Sequence, residues 1–91
     1  MDTDKIKKQI IEFLKKGNPL VRKLKKIPLD QSLLQRGYID SFAFIELISF
    51  LEKTFKISIE DQEINPENFG SINKMAKVVF IKLQKKAKKS K

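Results

Sequence analysis

Apolar residues recur at three- and four-residue intervals in three stretches of the chain, and this spacing predicts amphipathic helices. The first stretch predicts a helix over about 3–16, with Asp2 or Thr3 as its N-cap and Gly17 at its end. The apolar side chains that share one face of this helix are Ile6, Ile10, Phe13 and Leu14. We therefore expect this face to pack against a core.

A second helix is predicted to open at Asp40 and Ser41 and to end near Phe55. At 100° per residue, one narrow stripe of it is apolar and should face the core. That stripe consists of Phe44, Leu47, Ile48, Leu51 and Phe55. Phe42 and Ile45 fall on the opposite side, near Ser41. They are either a docking surface or the isolated exposed apolar residues that most proteins carry, and the pattern leaves both alternatives open.

The segment 18–39 separates these two helices and contains Pro19, Pro28 and Gly37. Such residues interrupt helices, so the segment is predicted to be a long ordered loop, with a short helical turn near 20–26 as an alternative. Its leucines are expected to fold back on the core: Leu20, Leu24, Leu29, Leu33 and Leu34.

Beyond the second helix, residues 56–59 alternate between polar and apolar. They are predicted to form a loop, because four residues without a partner strand do not make a sheet. Residues 60–64 fit a short third helix, and Pro66 and Gly70 mark its exit.

Ser71 is predicted to cap a last helix that runs to about residue 84. Its apolar face consists of Ile72, Met75, Ala76, Val79 and Leu83. We expect residues 1–84 to form a single domain and the basic residues 85–91 to form a disordered tail.

The length and composition make an enzyme an unfavoured interpretation. A chain of 91 residues builds one modest core. It contains no Cys, His or Trp, which excludes thiolate nucleophiles, imidazole bases and the commonest zinc ligands. No apolar run approaches the roughly 20 residues that span a bilayer, and the first residues carry no apolar signal segment. We expect a cytoplasmic protein without a transmembrane segment or a metal site.

The net charge of +9 is unevenly distributed. Residues 1–39 carry ten basic and four acidic side chains, a net charge of +6. Residues 40–70 carry two basic and seven acidic side chains (−5), and residues 71–91 carry eight basic and no acidic side chains (+8). The Lys-rich ends are compatible with a small basic helical module that binds nucleic acid or an anionic membrane surface. They are equally compatible with a biased genome composition. Only Arg22 and Arg36 are Arg, which argues against specific duplex recognition.

The strongest motif lies around Asp40 and Ser41. It consists of Gly37-Tyr38-Ile39-Asp40-Ser41-Phe42, followed by Ile45-Glu46-Leu47 and Phe55. This motif resembles the modification-site signature of the acyl carrier protein family. The surrounding pattern also matches that family: Leu33-Leu34, Ile57-x-Ile59, Asp61-x-Glu63-Ile64 and Pro66-Glu67-Asn68-Phe69.

The resemblance implies an all-α fold: a four-helix acyl-carrier-like bundle with a long loop between helices one and two and a short third helix. It implies that Ser41 carries 4'-phosphopantetheine covalently, received from coenzyme A. Asp40 would support the motif as a helix cap, and by resemblance would help position metal-bound coenzyme A during loading. The arm would hold an acyl or aminoacyl intermediate as a thioester, so the protein itself would be a non-catalytic substrate of other enzymes.

The resemblance also implies the partners. They are a phosphopantetheinyl transferase, an acyl- or aminoacyl-loading enzyme, and downstream acyltransferases or synthases. The carrier itself is expected to be a monomer and to bind no specific nucleic acid. By resemblance, partner docking involves Phe42, Ile45, Glu46, Glu52, Ile59 and Asp61. The basic overall charge and the Asp-Ser-Phe start depart from many fatty-acid carriers. The Asp-Ser-Phe start looks more like that of D-alanyl and other specialised stand-alone carriers, and these departures together favour a role in a dedicated pathway.

Overall fold

The computed structural model describes residues 2–89, and the regular secondary structure in this part of the chain is all helix, without a β-strand. The helices are α1 (Thr3–Gly17), α2 (Pro19–Arg22), α3 (Ser41–Phe55), α4 (Pro66–Phe69) and α5 (Ile72–Lys89), with a 3₁₀-helix at Asp61–Glu63. The predicted all-α class is confirmed. Three long helices form the bundle, and the short helices lie in the connections.

Helix α1 forms as its apolar spacing predicts. Asp2 is the N-cap, and its carboxylate accepts a hydrogen bond from the Lys5 N–H at 3.0 Å. Ile6, Ile10 and Leu14 are fully buried on one face. Phe13 lies beside that face and stacks on Phe50 of α3, with ring centroids 4.3 Å apart. These contacts fix α1 against the rest of the bundle.

Helix α3 has the predicted bounds, and its core face is close to the predicted one. Leu47, Ile48, Leu51 and Phe55 are buried, whereas Phe44 is only partly buried. The helix ends because Lys56 adopts a left-handed conformation with φ 53°.

The long connection between α1 and α3 contains α2, the short helix that was an alternative in the sequence analysis. Its Val21 is fully buried, and the neighbouring Leu20 therefore points outward and is 54% exposed. The prediction that all five leucines fold back on the core was wrong for Leu20 and Leu34, since both are exposed. Leu33 is buried, and Leu24 and Leu29 are partly buried. The segment is attached to α5 at its middle, where the Asn73 N–H donates to the Leu29 carbonyl at 3.0 Å.

The predicted third helix is the 3₁₀-helix, and α4 follows it as a helix that the sequence analysis did not predict. Pro66 and Gly70 are not simple helix breakers here. Pro66 occupies the first turn of α4, where a missing N–H costs nothing, and the Asn65 side chain caps that turn by accepting from the Asn68 N–H. A Cβ on Gly70 would collide with the Pro66 carbonyl oxygen, so only glycine closes this turn.

Helix α5 buries Ile72, Met75, Ala76 and Val79. The Ser71 hydroxyl accepts from the Lys74 N–H at 3.2 Å, as a cap would. The predicted helix end near residue 84 was wrong, because α5 continues to Lys89. Lys, Gln and Ala are strong helix formers, and lysines near a helix C-terminus are favoured by its dipole. Of the predicted tail 85–91, residues 85–89 are thus helical, and Ser90 and Lys91 lie outside the described residues.

Candidate functional site

Ser41 is the first residue of α3, and its side chain is exposed. Asp40 precedes it as the N-cap in extended conformation, and its Oδ1 accepts a hydrogen bond from the Ala43 N–H at 2.8 Å. The Asp40 carbonyl accepts from the Phe44 N–H at 3.0 Å, which starts the helical hydrogen bonds. Neither bond uses the Ser41 hydroxyl, which therefore lies exposed at the N-terminal end of α3.

The turn that leads into Ser41 is held rigidly. Gly37 adopts φ 81°, a left-handed conformation that favours glycine. The Gly37 N–H donates to the Leu34 carbonyl at 3.1 Å, and the Tyr38 N–H donates to the Leu33 carbonyl at 3.0 Å. Leu33 and Ile39 are buried on either side of this turn. The position of Ser41 is therefore fixed from both sides of the chain.

The surroundings of Ser41 suit an attached anionic group. The first-turn N–H groups of an α-helix have no carbonyl partner within the helix, and the positive end of its dipole favours negative charge. An exposed hydroxyl at this end has room for a phosphodiester substituent, so the residues present fit a phosphopantetheine arm. Within residues 2–89, no group of three or more His, Cys, Asp and Glu side chains is arranged to hold a metal ion.

A small apolar surface lies next to Ser41 on α3. Phe42 is 69% exposed and Ile45 is 63% exposed, as the helical spacing predicted. Glu46 is also exposed. We call these three residues the α3 surface. Two large, exposed apolar side chains and a carboxylate thus flank the hydroxyl.

The other three predicted docking residues lie in a different environment. Ile59 is buried, with 8% exposure, which disagrees with its predicted role as a docking contact. The Glu52 carboxylate is engaged within the protein, because its Oε2 accepts from the Ile59 N–H at 2.9 Å. This bond draws the loop after α3 onto the helix and places Ile59 in the core. Asp61 is exposed at the start of the 3₁₀-helix.

Glu63 is named in the sequence analysis only as part of the Asp61-x-Glu63-Ile64 pattern, yet its side chain connects the 3₁₀-helix to α5. Its side chain accepts from the Glu60 N–H at 2.9 Å and completes a capping box with Glu60. Its Oε2 is 2.8 Å from the Lys82 Nζ on α5. The Glu60 N–H and then Lys82 lower the pKa of Glu63 below 4.5. Glu60 is not one of the usual N-cap residues, so the spacing at 60–63 matches the capping-box signature only at Glu63.

A cavity of about 420 Å³ opens between the long loop, α3, α4 and α5. Phe44, one turn after Ser41, is part of its wall. The apolar part of the lining consists of Leu34, Phe44, Ile64, Pro66 and Phe69, and the polar part includes Asp30, Ser32, Gln35, Asn65 and Lys74. An open pocket with a mainly apolar lining therefore lies one helical turn from Ser41.

No protein-family profile matches the chain. The chain is similar to the probable acyl carrier protein PigG of a Serratia species, with 38% identity over 47 residues. These residues make up 52% of this chain and 54% of that protein, so the match spans about half the length of each. The similarity supports the resemblance to acyl carrier proteins and a carrier role. Among residues 2–89, no helix has the length and apolar character needed to cross a membrane.

Proposed function

We propose that this chain is an acyl or aminoacyl carrier protein that holds an intermediate as a thioester on a 4'-phosphopantetheine arm attached to Ser41. The observation that carries the proposal is the exposed Ser41 hydroxyl at the first position of a 15-residue helix, directly after the Asp40 cap. The surrounding carrier-like motif and the similarity to a probable acyl carrier protein support it.

The chain needs an imported reactive group for this role. It contains no Cys and no His, so it has neither a thiol nor an imidazole of its own. The arm supplies a terminal thiol, which is the nucleophile that acyl transfer requires. The protein's contribution is the attachment point: Ser41 receives the phosphodiester, and the N-terminal end of α3 stabilises its negative charge. The chain is accordingly a substrate of enzymes rather than an enzyme.

The α3 surface is the proposed contact for those enzymes. Phe42 and Ile45 offer exposed apolar area beside the attachment point, and Glu46 adds negative charge. The whole segment 40–70 carries a formal charge of −5, despite the basic chain. A basic patch on a partner would complement this segment, which raises the rate of encounter more than the final affinity.

The cavity beside α3 is the proposed resting place for the cargo. Its apolar lining would shelter an acyl or aminoacyl group from water, and Phe44 borders it one turn from Ser41. The partners of the cycle are a phosphopantetheinyl transferase, a loading enzyme and downstream acyltransferases or synthases. As part of the same proposal, the chain works as a cytoplasmic monomer in a specialised pathway.

The test is transfer of phosphopantetheine to the purified protein. The chain is incubated with coenzyme A, Mg²⁺ and a broad-specificity phosphopantetheinyl transferase, and its intact mass is recorded. Ser41→Ala should abolish the mass gain while the far-UV circular dichroism stays helical. Ser49→Ala is the matched control, because Ser49 is also exposed on α3 but lies inside the helix. A folded wild-type chain that gains no mass, or gain in Ser41→Ala, refutes the proposal.

A further inference from the structure

The outer face of α5 carries a row of lysines around one exposed apolar residue. Lys74, Lys77, Ile81 and Lys85 recur at three- and four-residue spacing, so they share one side of the helix. All four are exposed, and Ile81 is 42% exposed. The buried face of α5, with Ile72 and Val79 at its centre, points the other way. We call these four residues the lysine stripe.

Helix stability does not account for the lysine stripe. Lysines stabilise a helix near its C-terminus and destabilise it near its N-terminus, where the dipole is positive. Lys74 and Lys77 lie in the first two turns of α5, and the first turn contains no acidic residue. Lys74 is therefore placed against the dipole, although its Nζ donates to the Pro66 carbonyl at 3.4 Å. Lys77 lies beyond the first turn, where the dipole neither favours nor opposes it. We therefore expect these lysines to have a function other than stabilising α5.

A general excess of lysine does not account for the stripe either. Such an excess would place lysines on every exposed surface. Residues 40–70 instead carry two lysines and seven acidic side chains, whereas residues 71–91 carry eight lysines and no acidic side chain. The charges are thus segregated between elements. A biased genome composition would favour Lys over Arg throughout the chain, but it would not produce this segregation.

We propose that the lysine stripe is a docking surface for an anionic lipid bilayer. Lysine ammonium groups attract anionic headgroups without demanding a fixed geometry, and an exposed apolar side chain between them, Ile81, adds contact with the lipid. A protein interface would normally present aromatic or Arg anchors, and the stripe contains neither. A nucleic-acid interface would use Arg or stacked aromatic side chains.

The interaction is electrostatic in its main part, so its strength can be anticipated. Each lysine near an anionic membrane strengthens binding roughly fivefold. Removal of all three should weaken binding on the order of a hundredfold. Binding should also weaken steeply as salt rises, because the Debye length falls to about 8 Å at physiological ionic strength.

The experiment measures sedimentation of the full chain with lipid vesicles. Vesicles of phosphatidylcholine alone are compared with vesicles that also contain phosphatidylserine, at low and at physiological salt. The variant Lys74→Gln/Lys77→Gln/Lys85→Gln removes the stripe, and Gln keeps a similar helix propensity. The matched control, Lys5→Gln/Lys8→Gln/Lys15→Gln, removes the same charge from exposed positions on α1. Circular dichroism verifies that both variants are helical.

The expected result is binding to phosphatidylserine vesicles that the stripe variant loses and the α1 variant largely retains. Ile81→Ser should weaken the binding that remains at physiological salt. Equal loss in both triple variants would show that net charge alone drives the binding, and it would overturn the proposal. Absence of vesicle binding by the wild-type chain at low salt, or tight binding to RNA or DNA in its place, would overturn it as well. Phosphopantetheine loading is measured separately and is independent of these outcomes.

Discussion

Replacing Asp40 by Ala separates the structural role of this residue from its proposed role in loading. The substitution removes the carboxylate that accepts the Ala43 N–H at 2.8 Å. Loss of an N-cap side chain costs about 1 kcal/mol, within a range of about 0.5–2 kcal/mol. For a domain of this size, a loss of 1 kcal/mol lowers the melting temperature by roughly 4–8 °C. Urea and thermal unfolding, followed by circular dichroism, measure both quantities.

Asp40→Asn is the comparison variant, because it keeps the capping hydrogen bond and removes only the negative charge. Asn is as good an N-cap as Asp, because its amide oxygen accepts the same hydrogen bond. It lacks only the negative charge near the helix dipole, which is worth about 0.3–1 kcal/mol at an exposed position. Asp40→Asn should therefore unfold between the wild type and Asp40→Ala.

The same two variants are then tested for phosphopantetheine transfer. If Asp40 acts only as a cap, Asp40→Asn is loaded at the wild-type rate. If it also positions metal-bound coenzyme A, loading of Asp40→Asn falls although the helix is stable. An Asp40→Ala protein as stable as the wild type would refute the capping argument, since the bond to Ala43 would then contribute nothing.

Two further predictions concern the carboxylates that hold the segment after α3. Glu52→Ala leaves the part-buried Ile59 N–H without its acceptor and should lower the free energy of unfolding by about 1–3 kcal/mol, whereas Glu52→Gln keeps an acceptor and should lower it less. Identical urea midpoints for the two variants would contradict this argument. For Glu63, the folded-state pKa is lowered, so its stabilisation is present above the ordinary pKa of 4.5 and is lost as pH falls through the folded-state value. Since its side chain is 31% exposed, the pair with Lys82 is worth at most about 1 kcal/mol, and Glu63→Gln should flatten the acid side of the stability–pH curve by that amount.

The three long helices could be predicted because each buries a regular apolar stripe. Their starts were also predictable, since Asp40 and Ser71 are residues that cap helices. The end of α5 was not predictable from its apolar stripe, because the helix continues beyond its last buried residue. Helix α4 was missed because Pro66 can either start or interrupt a helix, and its neighbours decide between the two.

The site followed from the sequence only as far as local spacing determines it. Helical spacing alone placed Phe42 and Ile45 on the exposed side of α3. It did not reveal that Ile59 is buried, because the path of the loop depends on the bond between the Ile59 N–H and Glu52, seven residues earlier. Contacts between distant residues, such as Glu63 with Lys82, depend on packing of separate helices and leave no periodic signal.

The bond between Asn73 and the Leu29 carbonyl divides the long connection into two shorter loops, and this division has a practical consequence for labelling the protein. The turn that positions Ser41 lies entirely beyond that bond. Lys25 and Lys26 lie before it and are both exposed. Extra residues in an exposed loop cost little closure entropy, about 0.6 kcal/mol for each doubling of its length. A peptide tag inserted between Lys25 and Lys26 would therefore leave the attachment helix undisturbed.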